Sequence, residues 1–409
     1  MSAWRFRCVP EASRVRVERR ENVPNPDAET GWAGRRTHGA AAHARAGGAC
    51  RACLRRSWLL SVLGTRLDYR ARDEARLLAL LELEDEQLID AIAGGRAGEI
   101  RSHWERFESA EAAASVCGHC NGWPGELRDY GGAPRALYLT CAAERLRALS
   151  AKPTVAIVGS SGASDYGLEI ARALGRGLVA SGVTVVSGFA AGIGTAAHAG
   201  ALEAGGGSIA VMSGGVDVCR PASRRELYER VKDRGCAVAE LPLGARARRW
   251  CRVALARTVA ALAQLTIVVE AGEGPCELSE AHVTQMLGRT VAAVPGRVTS
   301  PLSRGTCALL IEGTPAVRGA ADALELLFGR DTQQASSTRR SELAGLEPRL
   351  RTLLEQVGSG RDTLGKLTAD VAADASDTML GLAELELKGL LARGDGGRYV
   401  PRQSLTGGT

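Results

Sequence analysis

The chain has 409 residues, 45% of them hydrophobic but only 4% aromatic, and a formal net charge of +6. That composition provides for more than one domain, with a core that Leu, Val and Ala must fill, and leans mildly toward polyanionic partners. No run approaches the roughly 20 uncharged apolar residues of a membrane span, the basic start has no apolar stretch of a secretory signal, and the 11 cysteines are scattered rather than framed as disulfides, so the expectation is a cytoplasmic protein with no membrane association.

Residues 1–47, rich in Arg, Gly, Ala and Pro, read as a disordered basic arm. Residues 50–120 read as a helical N-terminal domain, since Trp58, Leu59, Leu60, Leu63 and Leu67 keep helical spacing, as do Leu77, Leu78, Leu80 and Leu81. Two cysteine pairs bracket this domain: Cys50 with Cys53, and Cys117 with Cys120. Each C-x-x-C spacing is that of a zinc knuckle, and four thiolates complete a tetrahedral structural zinc site; the plainer reading is a set of small buried thiols. Residues 121–150, with Trp123-Pro124 and Leu137-Tyr138-Leu139, read as a connector.

From 151 to 329 strand and helix alternate. Val155–Val158 runs into Gly159-Ser160-Ser161-Gly162, Val183–Val186 into Ser187-Gly188 and on to Gly192, and Ile209–Met212 into Ser213-Gly214-Gly215. Short β-branched runs fit strands buried on both faces. Glycine directly after them allows close backbone approach to a ligand, and the helix that follows aims its free N–H groups at that ligand. Three such turns form a phosphate-binding ledge. Further strands are expected at Cys236–Glu240, Leu265–Glu270, Val291–Val294 and Ala316–Val317, with helices at 165–181, 195–204, 222–233, 253–263, 277–288 and 320–328. The predicted class is α/β: a Rossmann-like, doubly wound, mostly parallel sheet with ligands at the carboxyl ends of its strands. Residues 330–341 read as a linker, and residues 342–401 as three helices and a hairpin, a winged helix.

In serial order these residues resemble the DNA-processing protein A (DprA/Smf) family. The resemblance rests on Val155-Ala-Ile-Val-Gly-Ser160, Tyr166-Gly167, Val183-Thr-Val-Val-Ser-Gly188, Gly192-Ile193, Ala197-His198, Gly215-Val216-Asp217, Glu240-Leu241-Pro242, Arg249-Trp250, Val268-Val269-Glu270-Ala271, Val294-Pro295-Gly296 and Arg304-Gly305-Thr306. It implies a binder of single-stranded DNA rather than a catalyst. Such a protein protects incoming strands during natural transformation, helps load the RecA recombinase and forms a homodimer through its sheet domain. The implied phosphate contacts fall on Gly159, Ser160, Ser187, Gly188, Gly192, Gly214, Gly215, Arg248, Arg249, Arg257 and Arg304.

The departures from the family pattern concentrate at the ledge. Ser161 stands where the family usually places Arg, Leu255-Ala256 replaces an Arg-Asn pair, Cys307 replaces Asn, and Glu277 and Glu280 occupy a turn that is otherwise Ser-rich. Each lost Arg removes a bidentate phosphate contact, so weakened DNA affinity is expected, or a paralogue that keeps only protein interactions. What remains basic is Arg246, Arg248, Arg249, Arg252 and Arg257, with Arg297 and Arg304. A nucleoside-monophosphate-hydrolysing enzyme on a related sheet is the rival reading. Its Pro-Gly-Gly-x-Gly-Thr motif and following Glu are absent; the nearest text is Ser213-Gly214-Gly215-Val216-Asp217. Separately, Glu240 and Glu270, which end strands, are a candidate hydrolytic pair and His198 a candidate base, against the plainer readings of caps and a structural histidine. Gly360-Arg-Asp-Thr-Leu-Gly-Lys366 imitates a P-loop without the preceding strand or the magnesium-binding hydroxyl.

Overall fold

A computed structural model describes residues 48–401 except 109–113, 129, 275–276, 330–345, 359, 370–373, 389 and 395–396. The expected arm at 1–47 and linker at 330–341 thus lie outside the described residues.

Eight strands form one sheet: β1 (Ser115–Cys117), β2 (Ala136–Leu139), β3 (Thr154–Val158), β4 (Thr184–Gly188), β5 (Ser208–Met212), β6 (Cys236–Ala239), β7 (Leu265–Val268) and β8 (Thr290–Ala293), in the order β1-β2-β6-β5-β4-β3-β7-β8. The six strands from β6 to β8 are mutually parallel, and β1 and β2 extend the β6 edge antiparallel. The expected last strand is a single parallel bridge between Ala293 and Ala316. The sheet therefore begins at Ser115. The stretch read as a connector supplies β2 and helix α5 (Ala143–Ser150), and the last residues of the supposed helical domain supply β1. Both edge strands are three or four residues long and fully buried, too short for alternation to reveal.

Helices α6 (Asp165–Ala180), α7 (Ile193–Glu203) and α12 (Ala320–Phe328) cover one face, where Val155 and Ile157 pack with Leu174, Leu178 and Ala323. On the other face Ala156 and Val158 pack with Val259 and Leu262 of α9 (Cys251–Leu262) and with Ala281 of α10 (Ser279–Met286). Alternate residues of one strand enter different cores, which is why the strand reads as an unbroken apolar run. Helix α8 (Arg225–Arg234) packs Tyr228 and Val231 against the β5–β6 end, and α11 (Arg304–Ile311) follows β8.

The N-terminal helices α1 (Arg51–Arg70), α2 (Glu74–Glu82), α3 (Asp85–Ile92) and α4 (Ala97–Glu105) share a core with Trp250, Val253 and Ala254 at the start of α9. The C-terminal residues form α13 (Pro348–Gly358), α14 (Leu364–Leu367), α15 (Ala375–Leu387) and the antiparallel hairpin β9 (Leu391–Gly394) and β10 (Arg398–Pro401), around a core of their own. The P-loop imitation is part of the docking of this region. Buried Asp362 takes Arg176 of α6 at 2.7 Å, Lys366 at 3.2 Å and Arg398 at 3.3 Å, and Arg398 also reaches Glu203 of α7 at 3.1 Å. Burial raises the Asp362 pKa, but Lys366, Arg176 and Arg398 outweigh it and hold the carboxyl below its usual range. Among the described residues no helix is long and apolar enough to cross a membrane.

Candidate nucleic-acid interface

The chain runs outward from β3 through β4, β5 and β6, then returns to β7 on the other side of β3. The reversal of strand order between β3 and β7 is where an open α/β sheet ordinarily holds its ligand. Here the protein fills that crevice itself. Glu270, just beyond β7 and buried, accepts from the Ser164 amide at 2.8 Å and from the Ser164 hydroxyl at 2.5 Å. Ser164 is the N-cap of α6, so a carboxylate of the chain occupies the anion position at that helix start. Ser160 is buried and donates its amide to the Glu270 carbonyl at 2.7 Å. Gly159, at φ +153°, is pressed so close to that carbonyl that a Cβ would stand 2.5 Å from it.

The second turn is more open. Gly192 has φ +80° and lies against the Ser160 carbonyl, where a Cβ would clash. Ala190 and Ala191 are exposed ahead of α7, and their amides meet no acceptor among the described residues. Ser187 faces inward, its hydroxyl bonded to the Ile157 carbonyl at 2.6 Å. Gly188 is covered by Leu255, whose Cδ2 would lie 3.0 Å from a Cβ there. The apolar Leu255 side chain thus packs over the second turn.

The third turn, Gly214-Gly215, carries the loop after β6. The Gly215 amide bonds the Ala245 carbonyl at 2.9 Å, and Asp217 accepts from the Gly244 amide at 2.8 Å. This seats residues 242–249 on the carboxyl edge with Arg246, Arg248 and Arg249 exposed. Arg246 and Arg249 form no ion pair among the described residues, whereas Arg248 lies 3.5 Å from Asp68 at the end of α1. Asp68 also accepts from the Trp250 amide at 3.1 Å, and fully buried Trp250 pins the loop to the N-terminal helices. Arg304, at the start of α11, is exposed and 3.7 Å from Glu273. Arg252 is 3.8 Å from Glu277, so one of the departing carboxylates neutralises an arginine of the α9 entry. Burial pushes Glu280 up to about 6.

Arg257 is a correction. It is 2% exposed, its guanidinium bound to Glu240 and to the Gly132 carbonyl, and therefore cannot meet a phosphate. Glu240 follows β6 and Arg257 lies in α9, and pairing between separate elements leaves no local sequence pattern. The neighbouring cavity, bounded by Met212, Ser213, Glu240, Trp250 and Thr258, has a carboxylate and no cation in its wall, which disfavours a nucleotide phosphate. His198 is wholly buried between Ser208 (3.0 Å) and the Ser187 carbonyl (3.3 Å), and burial lowers its pKa to about 4 despite that carbonyl, so it is neutral. Glu240, Glu270 and His198, the groups a hydrolase would need, are all engaged internally.

The expected cysteine set converges only in part. Cys50, Cys53 and Cys117 converge as expected, but the fourth group beside them is His119. The Cys120 thiol donates instead to the Gly48 carbonyl at 2.9 Å. The signal was legible, since His119 stands inside the second cysteine pair.

The family model for DNA recombination-mediator protein A matches residues 115–328, more than half of the chain. The chain is 34% identical over 302 residues to a DNA processing protein DprA of Mycobacterium tuberculosis, covering 71% of each sequence. It is 32% identical over 254 residues to the Smf protein of Escherichia coli, covering 60% of this chain and 67% of that one. The X-ray structure of DNA processing protein A from Streptococcus pneumoniae superposes with a TM-score of 0.54 at 26% identity, covering 67% of this chain and 96% of that chain. The sheet, its glycine turns and these likenesses agree: the chain belongs to the DNA recombination-mediator protein A (DprA/Smf) family.

Proposed function

We propose that this chain binds single-stranded DNA, without sequence preference and without catalysis, along the carboxyl edge of its sheet. The observation that carries the reading is the loop of Arg246, Arg248 and Arg249, held exposed on the third glycine turn, with exposed Ala190 and Ala191 following the adjacent strand β4. Arginine forks and backbone amides suit phosphate and read no base. The names of the relatives, DNA processing proteins, support the same direction. Affinity is lower than that of a member with an intact ledge, because Leu255 covers the second turn and Glu277 lies 3.8 Å from Arg252. Within this reading the protein acts in the cytoplasm during natural transformation, as a homodimer that protects incoming strands and hands them to the RecA recombinase.

The test is a titration of fluorescent oligo-dT at two salt concentrations, with a duplex of equal length as competitor. Binding that weakens with salt and prefers the single strand supports the reading. Equal affinity for duplex, or no single-strand binding at about 50 mM salt, refutes it. Release of base or phosphate from mononucleotides would restore the enzyme reading.

A further inference from the structure

We infer that Cys50, Cys53, Cys117 and His119 form a closed structural zinc site. Their ligand atoms all lie within 4.8 Å of one another. His119 Nδ1 stands 3.5 Å from Cys50 Sγ, 3.5 Å from Cys53 Sγ and 3.7 Å from Cys117 Sγ. Zinc bonds of about 2.3 Å to sulfur and 2.0–2.1 Å to imidazole, at the tetrahedral angle, put sulfur and nitrogen about 3.6 Å apart. The three measured separations straddle that value, and they leave a volume for one ion rather than for an iron–sulfur cluster. Three thiolates and an imidazole are a donor set that selects zinc over magnesium or calcium. With all four positions taken by the protein no position is open to substrate, so the site is structural.

The backbone supports this reading. The Cys50 amide donates to Cys117 Sγ at 3.4 Å, a contact that stabilises a thiolate. The Ala49 amide bonds the Ser115 carbonyl at 3.1 Å, which brings the chain before α1 alongside edge strand β1. Cys50 caps α1 and Cys53 lies in its first turn, while Cys117 ends β1 and His119 follows in the turn. The ion would therefore tie the N-terminal helices to the sheet. Cys50 and Cys53 precede the residues matched by the family model, whereas Cys117 and His119 fall within them, so the set as a whole lies across the edge of that match. Cys120, 3.4 Å from Cys117 Sγ, is the competing fourth ligand.

The full chain, purified under reducing conditions from zinc-replete medium, is assayed for metal by mass spectrometry and by X-ray absorption at the zinc edge. About one zinc per chain with three sulfur and one nitrogen neighbours is expected. Cys120→Ser should keep the metal, His119→Ala should lose most of it, and His119→Cys should recover it. Metal-free wild-type protein overturns the proposal. So does a four-sulfur shell, or loss of zinc from Cys120→Ser. Because the absorption spectrum is taken on the wild type, misfolding of a variant does not blunt the test.

Discussion

Replacing Arg257 by Ala separates a structural arginine from a DNA-binding one. Arg257 is 2% exposed, and Glu240, to which it is bound, is 8% exposed. Truncation leaves a carboxylate buried without its cation, and the Gly132 carbonyl loses its donor. Breaking a buried pair from one side costs about 3–5 kcal/mol. At roughly 2–4 °C per kcal/mol for a domain of this size, the melting temperature should fall by about 10 °C. Arg257→Met combined with Glu240→Leu should recover most of that loss, since an apolar pair of similar volume avoids the desolvation of both charges. Thermal melts of wild type and the two variants, with oligo-dT anisotropy well below the lowest melting temperature, give the answer. Folded Arg257→Ala should bind within about twofold of wild type, less than 0.5 kcal/mol. Wild-type melting together with DNA binding weakened about tenfold or more would refute the reasoning and return Arg257 to the phosphate ledge.

Arg248→Ala with Arg249→Ala should weaken oligo-dT binding and flatten the log–log salt dependence by about 1.4, two phosphates at roughly 0.7 each for single strands; anisotropy titrations over a salt series measure it. Asp68→Asn keeps an acceptor for the Trp250 amide but removes the charge 3.5 Å from Arg248, so binding should tighten and the salt slope steepen by up to about 0.7 in the same assay. His198, lowered to about 4 against an unfolded value near 6.5, contributes stability that is complete above the unfolded value and is lost as pH falls toward the folded one. Urea unfolding at about pH 7 and about pH 5 should show that loss, at most about 3 kcal/mol over the full window, and His198→Gln should reduce it. Deleting residues 335–409 should change single-strand affinity by less than about tenfold, because α15 begins with Asp374 as its N-cap and Asp377 in its first turn, carboxylates that repel a phosphate backbone; a larger loss would mean that this region contacts DNA.

The central sheet was legible because β3, β4 and β5 are short buried apolar runs that lead into glycine turns, a combination visible within a few residues. The edge strands were not. Ser115–Cys117 becomes a strand only because Ala136–Leu139 lies beside it, and that pairing is written nowhere in either run. The site divides along the same line. Exposure of Arg246 and Arg249 followed from a polar loop between apolar elements, whereas the burial of Arg257 depended on Glu240 and Gly132, which come from other segments. The convergence of cysteines was readable from spacing, but the choice between His119 and Cys120 depended on the turn after β1.

Helix α1 connects these parts. Its first turn carries Cys50 and Cys53 beside β1, and Asp68 near its other end holds both Arg248 and the Trp250 amide. A helix of 20 residues spans about 30 Å, so one rigid element runs from the thiol cluster to the arginine loop. Gly64 belongs to the same arrangement, since a Cβ there would stand 2.9 Å from the Arg248 side chain. The first two glycine turns carry none of the exposed basic charge, because Glu270 bonds Ser164 at the start of α6 and Leu255 covers Gly188. The N-terminal helices position that charge instead, by fixing the loop that the third turn supports. On this view the position of the arginines depends on residues outside the matched family region as much as on the sheet within it.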